Sequence, residues 1–595
     1  MRNYIDSEMR TIVEMFGPSK KKETAKFVIP DFQRPYSWKK EQVQALLDDL
    51  TTFAESDEKE YFLGTVVMYS EDWGQTYNLV DGQQRFTTLY LIFRNLHRYI
   101  RSLALVDTSE INTRERLLGI LASFLWEEHA RTGKYDQDRQ RFETNVISED
   151  QKHSLALVLE TGEPRSADKS AFQRSYLVID EYFKEIFDQK SFEYVVEYCY
   201  KLLESVWLIA IETETFESAM QIFETVNARG MRLENHDMYK SRIYKALDGE
   251  QARKEFTDFW LETSQRIEAL PRAPYNRSIG VIFEIYAHYL AAKDQFLTTS
   301  MSYAKRYFSS NDSSYLKQGY ELGHYETIAD FLEIVLKREF PESETGADWW
   351  CQDEIMTKLD LLQEYYTVSP LHAAAIFHLA RKDSPDFIKE FNRFLESLVS
   401  LVLSAIFNGY SSSTLNATFL NINRRAVEPE FQVLDTYLDR ASKETIESFT
   451  RKKNVNQGGS WRKDIMLVLK VLGYDHKSQQ GLLPMHLERE HIVPMKWSRG
   501  YLLSELHNEL SRENANAILG NLGNVTLFEK TLNVRASNDF FPVKKREYQK
   551  SEVAMTRDLG FSSQEDFNAV DIENRRRAMV DDLDRILDSS RAFNQ

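Results

Sequence analysis

The hydrophobic pattern of the chain changes near residue 245, and this change limits the folds that are possible. Before this position, runs typical of strands alternate with segments of helical periodicity, such as 39–53 and 87–103. Those runs are apolar and rich in β-branched or aromatic residues, at 27–30, 61–69, 76–82 and 206–213. An alternation of strands and helices predicts an α/β or α+β domain in this part of the chain.

From about residue 250 to 450 the pattern is nearly all helical, as in 386–407, and is typical of a helical scaffold. After about 460 it predicts a helix, then strand, loop, strand and helix around HIVP and GNVTLF, then a closing helix at 571–593. A chain of 595 residues is too long for one hydrophobic core. We therefore predict a multidomain, predominantly helical α+β protein with domains at 1–250, 251–450 and 451–595.

The net charge and the cysteine content limit which partners and which cellular location we expect. The net charge is −17, so any contact with nucleic acid must be local, because phosphate binding needs basic surface. We find no run of 18 apolar residues and no secretion signal, and therefore expect no membrane partner. Cys199 and Cys351 are far apart and lack CxxC spacing, which favours a reducing, cytoplasmic location.

The most informative residues are in the C-terminal part. Glu490 and His491 stand in LEREHIVPMKW, and Asn524 and Asn533 follow in LGNLGNVTLFEKTLN. Phosphodiester hydrolysis needs a base that deprotonates water, and histidine suits that task. It also needs charge neutralisation at the phosphate, and Mg²⁺ or Mn²⁺ held by oxygen ligands supplies it. Each motif alone could be a capped strand or a turn, but their joint order favours a nuclease.

These residues resemble the HNH nucleases, also called His-Me finger or ββα-metal nucleases. The resemblance implies that His491 is the general base and that Glu490 and Asn533 hold the metal. Asn524 would brace the loop that carries the histidine. Two features depart from the family pattern: Glu replaces the commoner Asp at 490, and the doubled LGN makes Asn521 an alternative brace.

A basic run follows the second asparagine. It comprises Lys544, Lys545, Arg546 and Lys550. Alone it could be a solvated helix face, but beside a nuclease site we expect it to contact the DNA backbone.

Three polar motifs stand in the N-terminal part: VIPDFQRPYSW (28–38), LVDGQQRFTTL (79–89) and the segment 222–244. Each places Arg, Gln, Asn or Asp at a turn or at a junction between strand and helix. A helix N-terminus with an arginine is a good phosphate site, although each motif could also be only a polar turn. No GxxxxGK[ST] motif is present, which excludes a Walker-type site.

Together these motifs resemble the ParB/sulfiredoxin-like N-terminal domain of the GmrSD-like type IV restriction endonucleases. The resemblance covers roughly the first 250 and last 120 residues. It implies a domain that binds and hydrolyses a nucleoside triphosphate (GTP, CTP, UTP or ATP) and senses modified DNA. The implied nucleotide site comprises Gln33, Arg34, Asp81, Gly82, Gln83, Gln84, Arg85, Asn227 and Arg229, with Phe223 closing it. Tyr36 and Trp38 could stack on a base, but we favour a place in the core.

The predicted protein is a modification-dependent DNA endonuclease of antiphage defence, regulated by its N-terminal domain. Its partners would be modified phage DNA and a nucleotide. A homodimer is plausible, because cutting both strands with one site per chain needs two chains or two visits. The alternative is a nucleotide-dependent DNA-binding regulator with an inactive HNH domain.

Overall fold

The computed structural model describes most of the chain and divides it into two compact units, Met1–Lys245 and Ala246–Gln595. The described residues are 5–18, 25–30, 33, 35–72, 74–129, 131–146, 149–165, 168, 170–227, 235–271, 278–296, 303–308, 313–343, 346–365, 367, 369–428, 439–452, 460–494 and 517–592. Within them, no helix is both long and apolar enough to cross a membrane.

The first unit is a mixed sheet covered by helices. Its strands are β1 (Ile5–Thr11), β2 (Lys26–Ile29), β3 (Tyr61–Tyr69), β4 (Thr76–Asp81), β5 (Trp126–Glu128), β6 (Tyr135–Gln140), β7 (Phe142–Thr144) and β8 (Val206–Thr213). Its helices are α1 (Ile12–Phe16), α2 (Lys40–Glu55), α3 (Gln83–Ser102), α4 (Thr108–Leu125), α5 (Glu149–Thr161), α6 (Ala171–Ile186), α7 (Phe192–Ser205), α8 (Phe216–Asn227) and α9 (Asn235–Ala246).

Six strands form one sheet in the order β1-β8-β3-β4-β2-β7, and β5 pairs with β6 separately. β2 and β4 are parallel, so their carboxyl ends meet at one edge of the sheet. Gln33 and Pro35, which follow β2, therefore lie near the end of β4 and the turn after it. Both belong to the polar motifs singled out above.

Helix α3 is the centre of the first unit. Fifteen of its residues are buried, including Phe86, Tyr90 and Phe93. Burial of a large apolar side chain contributes roughly 1.5–3 kcal/mol, so this helix anchors the core. It begins at Gln83 because Gly82 has a φ of +82°, which ends the strand with a left-handed turn.

The second unit begins with a helical region. Its helices are α10 (Glu250–Glu268), α11 (Gly280–Lys293), α12 (Tyr303–Phe308), α13 (Ser314–Glu321), α14 (His324–Lys337), α15 (Asp353–Gln363), α16 (Ser369–Arg381), α17 (Phe387–Asn408), α18 (Ser412–Ala426), α19 (Lys443–Lys452) and α20 (Ser460–Asp475). The predicted helical pattern after residue 250 is confirmed, as is the mixed α+β class of the whole chain.

After α20, the described residues of this unit include a pair of antiparallel strands and several helices. These elements are β9 (Leu487–His491), β10 (Val525–Glu529), α21 (Lys530–Ala536), α22 (Phe541–Tyr548), α23 (Ala554–Phe561) and α24 (Ala569–Ala592). A buried ion pair ties α20, which precedes the hairpin, to α15. Lys470 Nζ lies 3.1 Å from Asp360 Oδ2, and Tyr474 donates to the same oxygen at 2.6 Å. Gly473 lets α20 pack closely on Leu483 and on Leu527 of β10.

Candidate functional site

The C-terminal hairpin leads directly into a helix. β9 and β10 pair antiparallel, with Val525 opposite His491 and Glu529 opposite Leu487. Helix α21 starts at Lys530 without an intervening loop. The result is a strand–strand–helix unit with His491 at the end of its first strand.

Asn524 fixes the backbone that follows His491. Its Oδ1 accepts from Val493 N at 2.8 Å, and its Nδ2 donates to Val493 O at 3.0 Å and to Leu519 O at 2.9 Å. The side chain is fully buried. Asn521 makes a different contact, because its side chain accepts from Gly523 N at 2.8 Å and caps a short 3-10 turn. Of the two asparagines, Asn524 is therefore the one that contacts the loop after His491.

The closing helix holds this turn from the other side. A Cβ on Gly523 would lie 1.9 Å from the carbonyl oxygen of Ile572, so only glycine permits this approach of α24. Arg575 donates to Gly523 O at 2.9 Å and to Val525 O at 2.6 Å, on either side of Asn524. Burial lowers the pKa of Arg575 to about 10. Sequence reasoning missed this arginine.

Glu490 is held by helix α22. Lys544 Nζ lies 2.6 Å from Glu490 Oε1, and Tyr548 donates to the same oxygen at 3.0 Å. Burial raises the pKa of Glu490, and the nearby Lys544 ammonium opposes that shift. Lys544 also donates to His491 O at 2.6 Å and is only 1% exposed. This position differs from the expected contact with DNA, because a buried ammonium engaged by two acceptors cannot reach a phosphate.

The rest of the basic run is nearer the surface. Arg546 is exposed, and Lys550 is exposed and paired with Glu547 at 2.5 Å. Lys545 donates to the carbonyl oxygens of Ser562 and Gln564, at 2.6 and 2.9 Å. Arg546 and Lys550 are thus the members of this run with the most surface to offer a phosphate.

Asn533 faces the strand that carries the acidic residues. Its Nδ2 donates to Glu488 Oε2 at 2.9 Å. Among the residues described, no group of three or more His, Cys, Asp and Glu side chains has the geometry of a metal site. The Glu490 carboxylate and the Asn533 amide, predicted to hold the metal, have oxygen atoms of the kind that a hard ion prefers. Within the described residues, however, no hydrogen bond joins these two side chains. Burial, with Arg489 and Lys544 nearby, lowers the pKa of His491 to about 4, so its ring is neutral at pH 7.

The N-terminal motifs meet at the sheet edge where β2 and β4 end. Gln33 is buried and its Nε2 donates to Val80 O at 3.3 Å. Gln84 accepts from Ser37 N at 2.8 Å and donates to Pro35 O at 3.1 Å. The structure therefore brings the residues after β2 against the turn that starts α3.

Arg85 lies across β3. Its guanidinium donates to Thr65 O at 3.3 Å, and a Cβ on Gly64 would lie 2.4 Å from its Nη1. Gly64, which the sequence reasoning missed, makes room for this side chain. Burial lowers the pKa of Arg85, and the Asp81 carboxylate opposes that shift.

The first turn of α3 is polar and has no side-chain cap. Asp81 Oδ1 accepts from Gly82 N at 2.7 Å. Gln83 is buried, and its Oε1 has no hydrogen-bond partner within the described ranges.

Other predicted residues have different places. Tyr36 is buried, stacks on Phe172 with ring centroids 5.4 Å apart, and bonds to Thr88 at 2.9 Å, so it belongs to the core. Phe223 is also in an apolar cluster under the sheet. Asn227 is the last residue of α8, and nothing is described of its side chain. Arg34 and Arg229 lie outside the described residues.

Both ends of the chain match models of one protein family. A model described as GmrSD restriction endonuclease, N-terminal domain, matches residues 13–244. A second, described as GmrSD restriction endonucleases, C-terminal domain, matches residues 439–582. No curated protein matches the chain.

The two matches fall on the mixed sheet unit and on the hairpin with its surrounding helices, and together they cover more than half of the chain. These matches show that the chain is a nuclease of a restriction or defence system and that it acts on DNA. The chain belongs to the GmrSD family of type IV restriction endonucleases.

Proposed function

We propose that this protein is a modification-dependent DNA endonuclease that cuts with an HNH-type site in its C-terminal domain. One observation carries the proposal: His491 ends a strand whose following backbone is fixed by Asn524, and Asn533 stands on the helix after the hairpin. This arrangement supports the proposal because it puts the histidine, the asparagine that holds its loop and the second asparagine on one strand–strand–helix unit.

Each side chain of the proposed site has its own role in the reaction. His491, neutral at pH 7, accepts the proton of the attacking water. Asn524 keeps the loop after His491 in place through both backbone groups of Val493. Glu490 and Asn533 would hold a divalent ion, Mg²⁺ or Mn²⁺. When bound, that ion supplies positive charge at the scissile phosphate and the leaving 3′ oxygen.

The first unit is proposed to bind and hydrolyse a nucleoside triphosphate. Its support is the start of α3, where first-turn amides without a side-chain cap can bind a phosphate. Arg85 belongs to the same first turn, with its guanidinium on Thr65 O of β3, and Gln83 Oε1 can accept from a ribose hydroxyl or a base N–H. Gln33, Arg34, Asp81, Gly82, Gln84, Asn227 and Arg229 complete the proposed site.

Nucleotide and modified DNA are proposed to regulate cleavage together. The first unit would sense a modified base or backbone on invading DNA, and its nucleotide state would permit or prevent cutting. Arg546, Lys550 and Lys545 would contact the DNA backbone. A homodimer would let one site act on each strand.

Cleavage of a panel of modified and unmodified phage DNAs tests the nuclease. Wild type is compared with His491→Ala in Mg²⁺ or Mn²⁺, with and without each triphosphate. His486→Ala is the matched control, because His486 is exposed and lies five residues earlier. We expect His491→Ala to be inactive and His486→Ala to cut. Equal cutting by wild type and His491→Ala would refute the proposed base. If neither cuts any DNA while nucleotide alters DNA binding, the alternative of an inactive regulator replaces the proposal.

Triphosphate hydrolysis tests the first unit. We expect Arg85→Ala to lower hydrolysis, because it removes the guanidinium beside the start of α3. Arg101→Ala is the control, since Arg101 is exposed in the last turn of the same helix. Unchanged hydrolysis in Arg85→Ala would place the nucleotide site elsewhere or abolish it.

A further inference from the structure

The helical region of the second unit contains a cavity of about 740 Å³. The residues that line it belong to α10, α14, α16 and α17 and to the segments that follow α14 and α16. Sites for small molecules have volumes of about 300–1,000 Å³, so the cavity is large enough for such a ligand. None of its lining residues belongs to the motifs discussed above.

Part of the cavity wall is aromatic. The ring of Trp349 lies 5.4 Å from that of His378 and 5.6 Å from that of Trp350, measured between centroids. Trp350 is half-buried, and its Nε1 donates to Pro341 O at 3.3 Å, which holds its ring in the wall. Phe340, in the same wall, is 47% exposed. Aromatic faces attract ammonium and guanidinium groups, so this wall favours a cationic ligand.

The charges of the lining favour the same kind of ligand. Two cations, Arg266 and Lys382, stand against five carboxylates, those of Asp330, Glu333, Glu339, Asp348 and Asp383. Arg266 pairs with Asp330 and Glu333, and Lys382 lies 3.3 Å from Asp383. Within the described ranges, neither Glu339 nor Asp348 forms an ion pair, and Asp348 is half-buried. This excess of negative charge attracts a cation and repels phosphate groups.

His378 provides an independent sign of a ligand. It lines the cavity and is only 8% exposed. Its Nδ1 is buried and has no hydrogen-bond partner among the residues that the structure describes. A buried polar atom without a partner is unfavourable, and a ligand with an N–H group would complete its bonding. Burial lowers the pKa of His378 to about 3, so its ring is neutral at pH 7 and one ring nitrogen can accept a hydrogen bond.

We propose that this cavity binds a small organic cation that carries a guanidinium or a primary ammonium group. Asp348 and Glu339 offset its charge, the aromatic wall at Trp350 packs against it, and His378 accepts one of its N–H groups. The aromatic wall favours an organic cation over a metal ion, which binds through oxygen ligands alone when it is hard. The inference does not depend on the proposed nuclease.

Calorimetric titration of the full chain tests the proposal. The ligand used is agmatine, which carries a guanidinium at one end and a primary ammonium at the other, at pH 7 and constant ionic strength. We expect saturable binding of agmatine and none of glutarate, a dianion of similar length. Absence of agmatine binding, or binding of glutarate at the same site, would overturn the proposal.

Single substitutions locate the bound agmatine. We expect Asp348→Asn to raise the Kd about tenfold or more, because hydrogen bonds between ionised groups are among the strongest in proteins. Glu339→Gln should act in the same direction, and its side chain is exposed, so the fold is preserved. Asp353→Asn is the matched control, since Asp353 is exposed, lies five residues after Asp348 and does not line the cavity. It should leave the Kd unchanged.

His378→Phe tests the ring nitrogen. Phenylalanine keeps an aromatic ring beside Trp349 but cannot accept a hydrogen bond, so we expect weaker binding of agmatine. Circular dichroism and a urea unfolding curve verify the fold of each variant. If Asp348→Asn and His378→Phe both bind agmatine as wild type does, or if Asp353→Asn weakens binding as much as Asp348→Asn, agmatine is held by general charge attraction and the proposal fails.

Discussion

Replacing Asn524 by alanine is the sharpest perturbation of the predicted nuclease site. The change removes three hydrogen bonds, of which two hold Val493 and one holds Leu519. At about 1 kcal/mol net for each bond, the loop after His491 loses about 3 kcal/mol of local stability. Because each 1.4 kcal/mol is a factor of ten, the Val493 amide should exchange its hydrogen about 100-fold faster.

Hydrogen exchange followed by mass spectrometry on the 487–494 segment measures this change, and DNA cleavage by the same sample measures its consequence. We expect Asn524→Ala to lose both protection and cleavage. Asn521→Ala is the matched control, since it removes one capping bond, worth about 1 kcal/mol, and leaves the contacts of Val493 in place. If Asn521→Ala loses protection and cleavage while Asn524→Ala keeps them, the assignment of the brace is wrong.

Three further substitutions test the packing of the second unit, each by urea unfolding. Gly523→Ala should destabilise it by about 1–3 kcal/mol and reduce cleavage, because the added Cβ collides with the backbone of α24; a variant as stable and active as wild type would contradict that approach. Lys544→Met should cost about 3–5 kcal/mol, since it leaves Glu490 buried without its cation; a loss under 1 kcal/mol would mean that the pair is not buried. Asp360→Asn, which breaks the buried pair with Lys470, should cost a similar amount of stability. Asp475→Asn, which breaks an exposed pair with Arg585, should cost at most about 1 kcal/mol. Equal losses in the two variants would show that burial does not set the strength of these ion pairs.

Much of the local structure could be predicted because it follows from periodicity. The strand pattern at 206–213 coincides with β8, and that at 61–69 coincides with β3. β1 was not expected, because Ile5–Thr11 has a mixed polar pattern with an exposed Ile5 and Met9. It becomes a strand by pairing with β8, about 200 residues away, and its Arg10 bonds to Glu212 at 2.5 Å. No local pattern contains that pairing.

The sequence by itself determined the set of chemical groups and their order: an acid and a histidine, then two asparagines nine residues apart, on a hairpin that runs into a helix. Only the tertiary structure decided how the charges are distributed around that set. It turned Lys544 inward to Glu490, brought Arg575 onto the turn at Asn524, and placed Glu488 against Asn533. These contacts join residues about 45 to 54 positions apart, and the pairing of distant charges depends on packing, which leaves no periodic trace in a single sequence.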